Sequence, residues 1–281
     1  MAKLMKKPLV AIFSISLLLV SGVVYSAHHP VKPSSDKLSQ VNKIREDAKQ
    51  GDPGAQYILG AMYRDGNGIA RDNSSAVKWF YQAAVQGHSS AQNDLGLMYQ
   101  RGLGVSQNYK VAVGWYYKAA KQGNVAGQNN LGTMYVNAHG VPLDYKIALE
   151  WFHSAAKQGA AEAQYNLALM HQNGLGVAQD HSAAVEWYYK SAVQGHCGAQ
   201  NNLGLMYKNG QGALQNHQVA LEWFRKAAQQ GNACSEYNLG IMYDNGLGVL
   251  QDGWVAVEWY RRAAQQGNSM AKQRLQQLGY Y

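Results

Sequence analysis

Residues 195–230 read GHCGAQNNLGLMYKNGQGALQNHQVALEWFRKAAQQ, and near-copies of this 36-residue unit lie on both sides of it without insertion or deletion. Glycine at 51, 87, 123, 159, 195, 231 and 267 opens six complete units and a final fragment of 15 residues. Three columns run through the units. Leu59, Leu95, Leu131, Leu167, Leu203, Leu239 and Leu275 share position 9; Met62, Met98, Met134, Met170, Met206 and Met242 share position 12; Trp79, Trp115, Trp151, Trp187, Trp223 and Trp259 share position 29. A period of this length, kept this strictly, identifies a solenoid in which each unit stacks on its neighbours.

Spacing sets the secondary structure. Apolar positions 5, 9, 12 and 13 fall within one arc of about 100° at helical pitch, and positions 26, 27, 29, 30, 33 and 34 repeat the i, i+3, i+4 relation. No segment alternates with period two, so each unit is two helices, A then B, and the fold is all-α. The junctions agree. Runs such as Asn173-Gly174-Leu175-Gly176-Val177 put glycine where the end of helix A needs a left-handed residue. Asp72, Asn108, Asp144, Asp180, Asn216 and Asp252 then stand where a side-chain oxygen caps helix B. Small residues at position 10 (Gly60, Gly96, Gly132, Ala168, Gly204, Gly240) permit close approach of A to B. One hairpin cannot cover its own Trp, Leu and Met; stacking buries them, each contributing about 1.5–3 kcal/mol before ordering entropy is subtracted. The Trp and Met columns are therefore expected in the core.

The ends look like caps. Leu38, Val41, Ile44 and Ala48 form the apolar stripe of a charged half-unit resembling a lone helix B, and Met270–Tyr281 resembles a lone helix A with Leu275 and Leu278 inward. Ahead of them, Lys3, Lys6 and Lys7 precede the apolar run Leu9–Val20 and the small residues Ser26 and Ala27, the pattern of an export signal. The expected organisation is a signal peptide at 1–27, a linker and N-terminal capping helix at 28–50, six repeats at 51–266 and a C-terminal capping helix at 267–281. The product is expected to be exported, periplasmic or secreted. An uncleaved anchor is the alternative, because Pro8–Ala27 carries no charge.

Composition removes several classes. A chain 47% apolar and 15% charged is not wholly disordered, and 30 Gly without a three-residue period beside 5 Pro exclude collagen. Of the net charge of +8, only +3 belongs to residues 51–281, too little for a phosphate-binding surface, so nucleic acid is not an expected partner. Cys197 and Cys234, the only cysteines, occupy positions 3 and 4 of successive units. Equivalent points on stacked helices lie about 8–10 Å apart against the ~7 Å between Cα atoms that a disulfide tolerates. The fold does not require a bridge, and the redox state of the pair stays open.

The run Ala199-Gln200-Asn201-Asn202-Leu203-Gly204-Leu205-Met206-Tyr207, then Asn209-Gly210-Gln211-Gly212, then Ala220-Leu221-Glu222-Trp223-Phe224-Arg225-Lys226-Ala227-Ala228, resembles the Sel-one-like repeat (SLR) family, relatives of the tetratricopeptide repeats. The resemblance covers residues 51–281. It implies a right-handed α-superhelix, and members that act mainly as adaptors assembling partner proteins in bacterial envelope, secretion and signalling contexts and in eukaryotic ER quality control. Cysteine-rich relatives described as penicillin-binding or β-lactam-hydrolysing carry Cys pairs within units, which this chain lacks. His171 for Tyr at position 13, Ala138 for Gly at position 16 and Ser235 for Ala at position 5 depart from the pattern.

Nothing in the sequence carries catalysis. There is no His-Glu-x-x-His, no His pair at i, i+4 and no Cys pair at metal spacing, and the Gly-x-Gly loops recur in five of the six units, with Ala138-His139-Gly140 in the third and no strand before any of them, so turn chemistry explains them. No cofactor or metal is expected. The Trp and Tyr columns also raise sugar or choline stacking, against which packing is the plainer account. That leaves the surface. On helix A, positions 3, 4, 7, 11 and 14 lie on the arc opposite the apolar stripe. The candidate partner-binding residues are Tyr57, Asn93, Asn129, Tyr165, Asn201 and Tyr237 at position 7, with Arg64, Gln100, Gln172 and Lys208 at position 14. Tyr and Asn suit recognition surfaces. The expected function is an exported scaffold that binds a peptide or partner helix through the concave helix-A face, with a monomer favoured. A cell-wall-related enzyme or ligand-binder is the alternative.

Overall fold

The computed structural model describes residues 35–280; the expected signal segment lies outside them. Helix α1 (Ser35–Lys49) leads into six hairpins: α2 (Pro53–Asp65) with α3 (Asn73–Val85), α4 (Ser89–Arg101) with α5 (Tyr109–Lys121), α6 (Val125–Val136) with α7 (Tyr145–Lys157), α8 (Ala161–Asn173) with α9 (His181–Val193), α10 (Cys197–Asn209) with α11 (His217–Gln229), and α12 (Ala233–Asn245) with α13 (Gly253–Gln265). Helix α14 (Ser269–Gln277) closes the array. Among the described residues there is no strand, and none of their helices is long and apolar enough to cross a membrane. The chain is an α-solenoid of six helix pairs with a single helix at each end.

The turns form as the sequence dictates. Asp72, Asn108, Asp144, Asp180, Asn216 and Asp252 each accept from backbone N–H groups in the first turn of the B helix that follows. Gly174 ends α8 in the left-handed region at φ 67°, its N–H returned to the Met170 carbonyl. In the third hairpin that place falls to Ala138, held at φ 54°, the one non-glycine residue with positive φ among those described. The second loop glycine has a different cause. A Cβ on Gly140 would lie 2.5 Å from the Tyr109 carbonyl carbon, and one on Gly176 2.6 Å from that of Tyr145. From the second hairpin on, each loop thus rests on the N-terminal backbone of the preceding helix B, and only glycine lets it approach.

Packing corrects one expectation. The side chains sealed between A and B are Phe80, Tyr116, Phe152, Tyr188, Phe224 and Tyr260 at position 30, not the indoles at position 29. The ring at position 30 lies against position 10 of its own helix A: a Cβ on Gly96 would sit 2.8 Å from Tyr116 and one on Gly132 2.7 Å from Phe152. Of the six column tryptophans only Trp223 is buried; the other five are half-buried. Each indole packs on the cluster formed by its own helix A and the helix that precedes it, at the edge of that seam. A helical wheel assigns both positions to one stripe because it cannot see that position 30 is sealed between its own helix A and the next hairpin, whereas position 29 lies at the edge of the seam between its own helix A and the helix before it. The thioethers at Met98, Met134, Met170, Met206 and Met242 are fully buried. At the ends, Val41 and Ala48 bury against the first hairpin, and Leu275 against the last, with Leu278 packed beside it.

Candidate functional site

Polar side chains join the repeats in a fixed pattern. The glutamine at position 36 donates to the side chain at position 6 of its own unit: Gln86 to Gln56 (2.8 Å), Gln122 to Gln92 (2.7 Å), Gln158 to Gln128 (2.9 Å), Gln194 to Gln164 (2.7 Å) and Gln230 to Gln200 (2.8 Å). The position-6 amide in turn donates to an alanine carbonyl eight residues back, at the end of the preceding helix B: Gln56 to Ala48, Gln92 to Ala84, Gln128 to Ala120, Gln164 to Ala156 and Gln200 to Ala192, at 3.0–3.3 Å. The position-6 side chain thus both accepts within its unit and donates across the repeat boundary. The sixth unit departs from this: Glu236 is buried, accepts from Gln266 at 2.6 Å, and as a carboxylate has no N–H to give Ala228.

The residues singled out on helix A stand largely within the same network. Asn93, Tyr165 and Asn201 are buried, and Tyr57, Asn129 and Tyr237 half-buried. Asparagines at position 7 accept from asparagines at position 8 of the next unit: Asn130 to Asn93 (2.9 Å), Asn166 to Asn129 (3.0 Å) and Asn238 to Asn201 (3.0 Å). Tyrosines there pack on the ring at position 30, Tyr57 on Phe80, Tyr165 on Tyr188 and Tyr237 on Tyr260. Tyr57 and Tyr165 also stack on His88 and His196, whose Nδ1 atoms cap the next helix A.

Position 14 answers to position 30. Where position 30 is Tyr, position 14 accepts from its hydroxyl: Tyr116 donates to Gln100, Tyr188 to Gln172 and Tyr260 to Asp244. Burial pushes all three hydroxyl pKa values up, so they donate as neutral phenols. Where position 30 is Phe, position 14 is Arg64, Val136 or Lys208. Arg64 lies 5.7 Å from the Phe80 ring centre and pairs with Asp65 and, across the repeat boundary, with Asp94 at 2.7 Å. Burial lowers the Lys208 pKa. Units two, four and six thus alternate with one, three and five, a covariation within one chain that was open to view in the sequence.

Six segments, residues 53–88, 89–124, 125–159, 161–196, 198–232 and 235–268, match the Sel1 repeat. The chain belongs to the Sel1 repeat family. It is 39% identical to a protective antigen of uropathogenic Escherichia coli with an SLR fold, at a TM-score of 0.78 over 84% of this chain and 50% of that one. It therefore spans half the length of that antigen. It is 30% identical to a Sel1 repeat protein of Oxalobacter formigenes, at a TM-score of 0.71 over 82% of this chain and 97% of that one. No curated protein matches it. Sel1 repeat proteins generally mediate protein–protein interaction, and the family is mostly one of non-enzymatic scaffolds.

Within this Sel1 array, the part of helix A not consumed by neighbours is narrower than the sequence suggested. It comprises position 11 (Ala61, Leu97, Thr133, Leu169, Leu205, Ile241), half-buried, with Ala61, Leu169, Leu205 and Ile241 packed on one side against the core, and position 15, where Asp65, Arg101, Asn173, Asn209 and Asn245 are exposed and Asn137 is half-buried. An apolar line edged by amides and a few charges suits an amphipathic segment. Much of the outer ladder is already partnered. Lys118, Lys190 and Lys226 each sit 4.2 Å over the indoles of Trp115, Trp187 and Trp223, and Tyr81, Tyr117, His153 and Tyr189 of the preceding repeat meet Trp115, Trp151, Trp187 and Trp223 edge-on. Among the described residues no three His, Cys, Asp or Glu gather as metal ligands. Cys197 and Cys234 carry free thiols.

Proposed function

We propose that the protein is an exported interaction scaffold whose helix-A face holds a peptide or partner helix. The observation that carries this reading is the position-11 line, apolar in five of the six units, with Thr133 in the third, and half-buried in all of them. Successive A helices touch directly, α4 on α6, and bond through the position-7 and position-8 asparagines, which supports their lying on the inner side of the stack. The half-buried Tyr57, Asn129 and Tyr237, with Gln100, Gln172 and Lys208, border the line. Asn93, Tyr165 and Asn201 support it from within.

The test is capture of partners from an envelope extract with wild type and with Leu97, Leu205 and Ile241 changed together to Asp. The variant should keep a helical circular dichroism spectrum and lose the captured protein. Unchanged recovery by a folded variant rejects this face as the docking surface. Fractionation of cells making the full chain, with the N-terminus of the product sequenced, tests export and cleavage near Ala27.

A further inference from the structure

The two cysteines stand at the offset that the structure uses for direct side-chain contact between A helices. Asn93 meets Asn130, Asn129 meets Asn166 and Asn201 meets Asn238, each 37 residues on, and not the 36 residues of exact equivalence. Cys197 and Cys234 are also 37 residues apart. Each lies four residues, about one helical turn, before a member of the Asn201–Asn238 pair, on the same two helices α10 and α12. Between these turns Ser235 donates to Asn201 at 2.9 Å, drawing the start of α12 onto α10. Cys234 is exposed and Cys197 half-buried, so an external reagent reaches Cys234 the more readily.

We infer that Cys197 and Cys234 form a redox pair that closes as a disulfide between the fifth and sixth repeats when a small-molecule or protein disulfide is supplied. The Cys234 thiolate attacks the external disulfide, forming a mixed disulfide and releasing one thiol. The Cys197 thiolate then attacks Cys234 Sγ and expels the second. Two protein thiols are oxidised by two electrons and one external disulfide is reduced to two thiols. The bridge staples α10 to α12 beside the helix-A face, and this does not depend on what that face binds.

The experiment treats the purified full chain with oxidised glutathione and follows intact mass. The expected product is a monomer lighter by two hydrogens, with tryptic fragments 191–208 and 227–261 linked. Cys197→Ser should stop at one stable glutathione adduct on Cys234, and closure should be at least about tenfold faster in the native chain than in urea. Two persistent glutathione adducts, links between chains, or closure no faster than in the unfolded chain would each overturn the pairing.

Discussion

Replacing Glu236 by Gln should stabilise the array at neutral pH and do little in acid. Glu236 is 5% exposed and occupies the place where five sister glutamines accept from position 36 and donate to the preceding helix. Burial raises its pKa, opposed by the nearby Arg262 guanidinium and the Gln266 amide. A carboxyl whose folded-state pKa lies above its unfolded value binds more protons when folded. Its ionisation therefore costs stability progressively as pH rises from the unfolded value through the folded one. The protonated acid can donate to the Ala228 carbonyl as glutamine does; the ionised form cannot. That carbonyl keeps the Gly231 N–H at 2.9 Å, so one missing donor and one desolvated charge are at stake, about 1–2 kcal/mol. At about 2–4 °C per kcal/mol for a chain of this size, thermal unfolding followed by circular dichroism resolves the difference. E236Q should melt above wild type at pH 7.5, and the gap should shrink towards pH 4. A gap that is absent at pH 7.5, or that stays constant down to pH 4, refutes the assignment of Glu236 to the glutamine's place.

Four further outcomes are expected. Ala138→Gly relieves a left-handed non-glycine residue and should raise stability by about 0.5–1 kcal/mol in denaturant titration, in contrast to glycine elsewhere in a helix or loop. Tyr116→Phe leaves the Gln100 amide oxygen unpaired and should cost about 1 kcal/mol. Adding Gln100→Val, which copies the Val136 and Phe152 pairing of the third hairpin, should recover most of it in a double-mutant cycle. Gly176→Ala drives a methyl into the Tyr145 backbone at a positive φ and should cost more than about 2 kcal/mol, measured the same way. Trp254 is 75% exposed while the column indoles are half-buried or buried, so Trp254→Phe should remove most of the iodide-quenchable tryptophan fluorescence.

The period made the architecture legible, because a glycine every 36 residues and two apolar stripes per unit leave one arrangement that buries them. Caps and hairpin turns followed from local chemistry, as the Asp and Asn residues that begin each helix B show. What the helical wheel could not resolve was partnership at a distance. Asn93 looked solvent-facing because its own helix leaves it uncovered; what covers it is Asn130, from another repeat. Gln100 looked like recognition surface, and its oxygen is occupied by Tyr116. The alternation of Tyr with an acceptor and Phe without one encoded the second of these contacts. The 37-residue offset of the first depends on how hairpins lean on one another, and no single unit records that lean.

The glutamine relay also constrains how such a chain can change length. Each of the first five units offers its neighbour on one side what it takes from the other, so excising or duplicating a whole 36-residue block among them leaves the donors and acceptors of the relay in equal number and in phase. A shorter insertion would misalign the bonds on one flank. Growth by whole modules thus keeps the relay in register, whatever the surface of the added block.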